Sequence, residues 1–307
     1  MATALPDGAS GGSPTVLRIM LGGQLRQLRE SRGITRETAG YEIRSSESKI
    51  SRLELGRVGF KERDVADLLT LYGVVDAAER ATVLDLVSRA NSPGWWHRYG
   101  DILPSWFHAY LGLEASAAVI RTYEVKFVPG LLETEDYARA VVLLRHPRAA
   151  PAEIEHRVRL RVERRQRVLG GSGGGPQIWA VVDEAALRRP VGGAGVMQAQ
   201  LKSLIDATTN ARIRLQVIPF RSGGYAAAGG PFTVLRFRDQ ELPDMVYIEL
   251  LTSALYLDKR EETTDYVLMM DQLAVAAEPP ARTVEIIEAA LADLAKHDPL
   301  PKGLSDG

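Results

Sequence analysis

The sequence predicts two unlike domains, an all-helical amino-terminal domain and an α+β carboxyl-terminal domain with a mostly antiparallel sheet. Three observations predict this. Over the first ninety residues, apolar positions recur at intervals of three and four and are punctuated by capping residues. From residue 177 onward, the short runs QIWAVVD, IRLQVIP, FTVLRF, VYIEL and ALYLD are rich in β-branched and aromatic residues and bounded by Gly, Pro and Asp. The chain of 307 residues also exceeds one compact domain, which usually holds about 100–200 residues.

Taken in order, MATALPDGASGGSPT (1–15) carries no basic residue and no apolar stretch of the kind a secretory signal needs, so it reads as a flexible tail. Leu17, Leu21, Leu25 and Leu28 mark an amphipathic first helix that stops near Gly33. Thr35 is placed to cap a short second helix through about Ile43, and Ser46 a third that ends before Gly56. A fourth carries Val65, Leu68, Leu69 and Tyr72. A fifth opens at Asp76, with Glu79 at capping-box spacing, and runs to about Ala90. These make a helical domain over residues 16–90. NSPGWW (91–96) breaks the pattern and is the expected boundary. Helices over 104–121 and 134–145, joined by KFVPGLLE, and an arginine-rich helix from Ala152 to Leu169 precede the loop GGSGGGP (170–176). A helix with Met197, Leu201 and Leu204 lies between the first two strands. Helices near 264–277 and 283–296 close a second domain over 94–297, before a polar tail at 298–307. The close succession of the last strands is the reason to expect antiparallel pairing.

Composition excludes several classes. A net charge of −1 is not that of a protein that coats nucleic acid over its whole surface. The absence of cysteine removes disulfide frameworks, thiolate nucleophiles and Cys-based zinc sites, and fits a reducing compartment. No apolar run approaches the roughly 18 residues of a membrane span, so a cytoplasmic protein without membrane contact is expected.

A helix-turn-helix needs two short helices meeting steeply, a small residue where they touch, and apolar residues on their inner faces. The outer amino-terminal face of the second helix then meets the major groove. Residues 35–56 supply each part. Ala39 and Ile43 fall inward on the first helix, Gly40 is the small contact, and Ile50 and Leu53 fall inward on the second. Beyond the cap Ser46, the residues Glu47, Ser48, Lys49 and Arg52 are left outside. From Arg18 to Arg63, 11 Lys and Arg stand against 6 Glu and no Asp. An ordinary helical hairpin with a solvated face is the plainer alternative, and it leaves the agreement of these positions unexplained. Glu47 has three readings: an acceptor for a cytosine amino group, a favourable charge at its own helix amino terminus, or a repulsive element against wrong sites.

Residues 21–57, and above all the runs LRQLRESRGIT and ISRLELG, resemble the repressor-type (XRE) helix-turn-helix family. The resemblance implies a double-stranded DNA partner, bound as a homodimer. Arg36 would touch phosphate, Ser48, Lys49 and Arg52 would face base edges, and Arg57 would flank the backbone. Ser46 and Glu47 complete the candidate DNA-binding set. Arg29 and Glu54 fall where the family keeps an ion pair between its first and third helices. Two positions depart from the pattern. Arg44 replaces the usual turn glycine, so the turn either avoids φ > 0 or carries strain, and Ser45 replaces a usual apolar residue.

Further along, GWWHRYGDILPSW, LEASAAVIRTYE, FVPGLLETEDYARAVV, VVDEAALRRPVGG, LQVIPF and VYIEL resemble a domain of unknown function found behind such helix-turn-helix domains in actinobacterial regulators, the WhiJ-like, antitoxin-like group. Members tend to be encoded beside a small BldB-like protein, which implies a protein partner. No enzyme is expected. His97, His108, His146, His156 and His297 are scattered and form no H-E-x-x-H, and neither a G-x-S-x-G elbow nor a phosphate-binding G-x-x-x-x-G-K-[ST] loop is present. Asp183 and Glu184 read as the start of the helix that follows rather than as paired catalytic carboxylates. No metal or other cofactor is implied.

Two features carry sharper readings beside plain ones. Trp95, Trp96, Trp106 and Tyr110 belong to an aromatic cluster that is either core or a site for a small-molecule effector or a partner. The helix 152–169 holds Arg157, Arg159, Arg161, Arg164, Arg165 and Arg167, either as a solvated face with i,i+4 Glu–Arg pairs or as a second phosphate contact or dock for an acidic partner. The expected function is sequence-specific transcriptional regulation with a sensing, dimerising or partner-binding second domain. The alternatives are an antitoxin-like protein that neutralises a small partner and, more weakly, an enzymatic second domain.

Overall fold

A computed structural model describes residues 12–170, 174–225, 229–239 and 242–297. The tail expected at 298–307, most of the one expected at 1–15, and part of the GGSGGGP loop lie outside them. Two units are distinct. One holds the described chain up to Gly100 together with Phe107–Ser116, Asp239 and Leu242; the other holds Asp101–Trp106, the rest from Ala117 to Arg238, and the chain from Pro243.

The first unit is built of α1 (Pro14–Ser31), α2 (Arg36–Glu42), α3 (Glu47–Glu54), α4 (Glu62–Leu71) and α5 (Ala77–Ala90), followed by a 3-10 turn at Trp95–Tyr99. Local chemistry sets the starts. Thr35, Ser46 and Asp76 accept from the backbone N–H three residues on. The amino-terminal tail ends earlier than residue 15, because Ser13 accepts from the Val16 N–H and Pro14 occupies the first helical position, where its missing N–H costs nothing. Leu17, Leu21, Leu25, Ala39, Ile50, Leu53, Val65, Leu69, Val83 and Leu86 meet in one core.

NSPGWW does not divide the units. The Ser13 hydroxyl donates to the Gly112 carbonyl at 2.5 Å, its N–H donates to the Ser116 hydroxyl at 2.8 Å, and a Cβ at Gly112 would stand 2.1 Å from the Thr15 hydroxyl. These contacts draw residues 107–116 into the first unit.

The stretch 104–121, expected to be one helix, is α6 (Ser105–Ser116) followed directly by β1 (Ala117–Glu124). The reason is pairing on both sides. β1 lies between β2 (Gln177–Asp183) and β4 (Phe232–Phe237), so its AAVIRTYE run shows no clean alternation, and its apolar spacing reads equally as a buried helix.

The sheet runs β3-β2-β1-β4-β5-β6, with β3 (Ile213–Ile218), β5 (Met245–Glu249) and β6 (Ala254–Leu257) completing it. It is mixed rather than mostly antiparallel throughout. β1, β2 and β3 are parallel, with Ile120 opposite Ile178 and Ala180 opposite Leu215, while β1, β4, β5 and β6 pair antiparallel. The parallel half follows from its connections. Between β1 and β2 the chain forms α7 (Glu135–Arg145) and α8 (Pro151–Leu169), and between β2 and β3 it forms α9 (Glu184–Arg188) and α10 (Ala194–Thr208). Helical connections of this length are what parallel pairing requires. The remaining helices are α11 (Arg260–Ala276) and α12 (Pro280–His297). Tyr123, Val181, Phe232, Val234 and Val246 on one sheet face pack with Met270 and Leu273 of α11. None of the helices described is long and apolar enough to cross a membrane.

Candidate nucleic-acid interface

The two helices at 35–56 meet through backbone rather than side chains. A Cβ at Gly40 would lie 2.9 Å from the Ser45 carbonyl oxygen, so only glycine lets α2 approach the start of α3 this closely. After α2 the chain reverses in a Schellman arrangement. The Ser45 N–H donates to the Gly40 carbonyl at 2.7 Å and the Arg44 N–H to that of Tyr41 at 3.0 Å. That geometry needs a left-handed residue, and Arg44 adopts it with φ of 52°, the one positive-φ non-glycine residue among those described. Of the two possibilities for this turn, strain is the one realised.

Helix α3 is fixed from beneath. Ile50 and Leu53 are buried, and a Cβ at Gly22 of α1 would stand 2.5 Å from the Leu53 carbonyl. Glu54 carries the decisive polar contact. Its carboxylate accepts from Arg29 Nε at 2.5 Å and Nη2 at 3.1 Å, and from Arg36 Nε at 2.9 Å. Arg29 and Glu54 are each 6% exposed. The Glu54 bond holds the Arg29 guanidinium above its ordinary pKa despite its burial.

With its inner face fixed, α3 presents Ser46, Glu47, Ser48 and Arg52 to solvent, and Arg57 follows exposed. Two candidate contacts are engaged elsewhere. Arg36 is held on Glu54, and Lys49 Nζ lies 2.7 Å from Asp64 Oδ2 at the start of α4. Glu47 lies in the first turn of α3, where a carboxylate favours the helix amino terminus. The sequence reading missed Asp64, which is fifteen positions from Lys49, and Tyr41, which is 86% exposed on α2. An aromatic residue on an otherwise polar outer face was the signal available for Tyr41. None marked Asp64.

Comparison with known families agrees with this geometry. Residues 20–83 match a helix-turn-helix domain, a DNA-binding fold, and residues 107–289 match the domain of unknown function DUF5753. The second match covers more than half of the chain. The chain belongs to the DUF5753 family. No curated protein and no solved structure matches it.

Elsewhere the structure separates residues that the sequence grouped. Trp95 touches Trp96 and Tyr99 edge-on in the first unit, where Trp96 and Tyr110 are buried. Trp106 belongs to the second unit, where its carbonyl accepts from the Tyr256 hydroxyl at 2.6 Å. In the DUF5753 segment, α8 keeps the expected i,i+4 pairs Arg157–Glu153 and Arg167–Glu163, both at 2.8 Å. Arg161 and Arg165 instead reach Glu133, the first to its carboxylate at 2.7 Å and the second to its carbonyl at 3.1 Å. Asp183 caps α9 through the Ala185 N–H and also accepts from the Tyr225 hydroxyl.

One titratable group went unnoticed in the sequence. Glu124, at the end of β1, is largely removed from water, and its carboxyl is pushed up to about 8 by burial and then by the charges of Glu133 and Glu249. Among the described residues, no cluster of three or more His, Asp or Glu side chains is arranged to hold a metal ion.

Proposed function

We propose that the chain is a sequence-specific DNA-binding transcriptional regulator of the repressor (XRE) type. The observation that carries this reading is the first turn of α3: Ser46, Glu47 and Ser48 are exposed, with Arg52 a turn later, on a helix clamped by Ile50, Leu53 and the Arg29–Glu54 pair. A single helix-turn-helix makes few contacts, so useful affinity calls for a homodimer on near-palindromic half-sites about 10 base pairs apart or a multiple of that. The DUF5753 segment is proposed to supply the dimer contact and to receive a protein or small-molecule signal.

A second reading is favoured by one further observation. β6 is an edge strand without charged residues, and Leu255 within it and Leu251 just before it are exposed. Edges of this kind are usually covered. A small BldB-like partner there would fit an antitoxin-like role within the WhiJ-like group, with DNA binding serving autoregulation. No reaction is proposed for this segment.

The experiment is selection of bound sequences from random DNA by the purified chain, with and without any small BldB-like protein encoded beside it. Enrichment of a near-palindromic motif supports the regulator. Co-purification of the small protein with altered enrichment supports the second reading. Absence of any enriched motif overturns the first.

A further inference from the structure

Lys49 sits on the outer side of α3, yet it is not a free cation. Its ammonium is 2.7 Å from the Asp64 carboxylate, with side-chain exposures of 27% and 16%. Asp64 comes from a different helix, where it shares the first turn of α4 with Glu62. A lysine ammonium offers three N–H donors on a flexible stem. Left free on a reading helix, it would bind any phosphate within reach. Held by a carboxylate, it contributes no net charge, and its position is fixed while donors remain for a base acceptor such as guanine O6 or N7.

We infer that Asp64 is a specificity-determining residue of the DNA interface: it withholds the charge of Lys49 from the phosphate backbone and positions its ammonium for base contact. The inference rests on the regulator reading. Phosphates must compete with a carboxylate already in contact, which lowers affinity for every sequence. A site that offers a well-placed acceptor need not break the pair at all.

The test is a double-mutant cycle of Asp64→Asn and Lys49→Ala, read by fluorescence anisotropy on the selected site and on unrelated DNA across a salt series. In the Lys49 background, Asp64→Asn is expected to strengthen binding to unrelated DNA, to steepen the plot of log affinity against log salt by about 0.9, and to lower the specificity ratio several-fold. With Lys49→Ala present, the same change should leave slope and ratio unmoved, because a general loss of negative charge near DNA would act in both backgrounds. Circular dichroism and thermal unfolding confirm that the variants fold. Equal effects in both backgrounds, or an unchanged ratio in the first, overturn the inference while the regulator reading stands. A wild-type chain that selects no sequence overturns both.

Discussion

Arg29 and Glu54 form a two-pronged ion pair at 2.5 and 3.1 Å beneath the exposed helix α3, and both side chains are removed from water. A charge pair at such depth adds little net stability compared with apolar packing, but losing one partner strands the other. Glu54→Gln is therefore expected to destabilise the helical unit by roughly 3 kcal/mol. Because Glu54 also holds Arg36 as Asp64 holds Lys49, the folded variant frees that guanidinium, and its DNA affinity should rise for all sequences alike. Chemical denaturation followed by circular dichroism measures the first effect. Stability within 1 kcal/mol of wild type would show that the pair does not anchor α3.

Arg44 makes a prediction of opposite sign. Its φ of 52° lies where a Cβ is unfavourable and glycine is at ease. The Schellman hydrogen bonds around it are backbone only and survive replacement by glycine. Arg44→Gly should therefore raise stability by about 1 kcal/mol, a rise in melting temperature of several degrees for a unit of this size. A fall in melting temperature would mean that the Arg44 side chain stabilises the turn by a contact worth more than the strain.

These two residues show what the sequence made legible. Caps, the small contact residue and the inward apolar positions are local, so Thr35, Gly40, Ser46 and Ile50 identify the motif without a structure. The Arg29–Glu54 pair was legible through family resemblance alone, since no local rule links positions twenty-five apart. The Lys49–Asp64 contact had no such resemblance and went unread. In the second unit, β1 was hidden because burial on both sides erases the alternation that marks a strand, and with it went the parallel half of the sheet. The aromatic run read as one cluster because it is contiguous in sequence, but Trp96 and Tyr110 lie in one unit and Trp106 in the other.

Arg52 differs from Arg36 and Lys49 in being exposed, and among the described residues its side chain contacts the carbonyl of Ser48 alone, at a long 3.4 Å. Its guanidinium is therefore available to bases at little cost. Arg52→Ala should weaken the selected site by ~1–3 kcal/mol while changing binding to unrelated DNA far less. Stability should be unaffected, since the side chain is solvated. Equal loss on both DNAs would reassign Arg52 to phosphate contact.

Glu124 gives the DUF5753 segment a pH dependence. In the unfolded chain its carboxyl ionises near its ordinary 4.5, whereas in the fold burial and the neighbouring Glu133 and Glu249 delay ionisation to about 8. Between these values the folded state binds more protons, so this group's stabilising effect is complete below about 4.5 and is lost as the pH climbs through about 8. Arg161 and Arg164 act in the opposite sense without cancelling it. Glu124→Gln keeps the neutral shape at every pH. It should leave stability at pH 5 nearly unchanged and raise it at pH 9 by about 2 kcal/mol or more, because the amide avoids the cost of ionising a buried carboxyl. Thermal unfolding of both proteins at the two pH values decides it. Parallel curves, with no convergence at pH 5, would mean that Glu124 is already ionised in the fold at neutral pH.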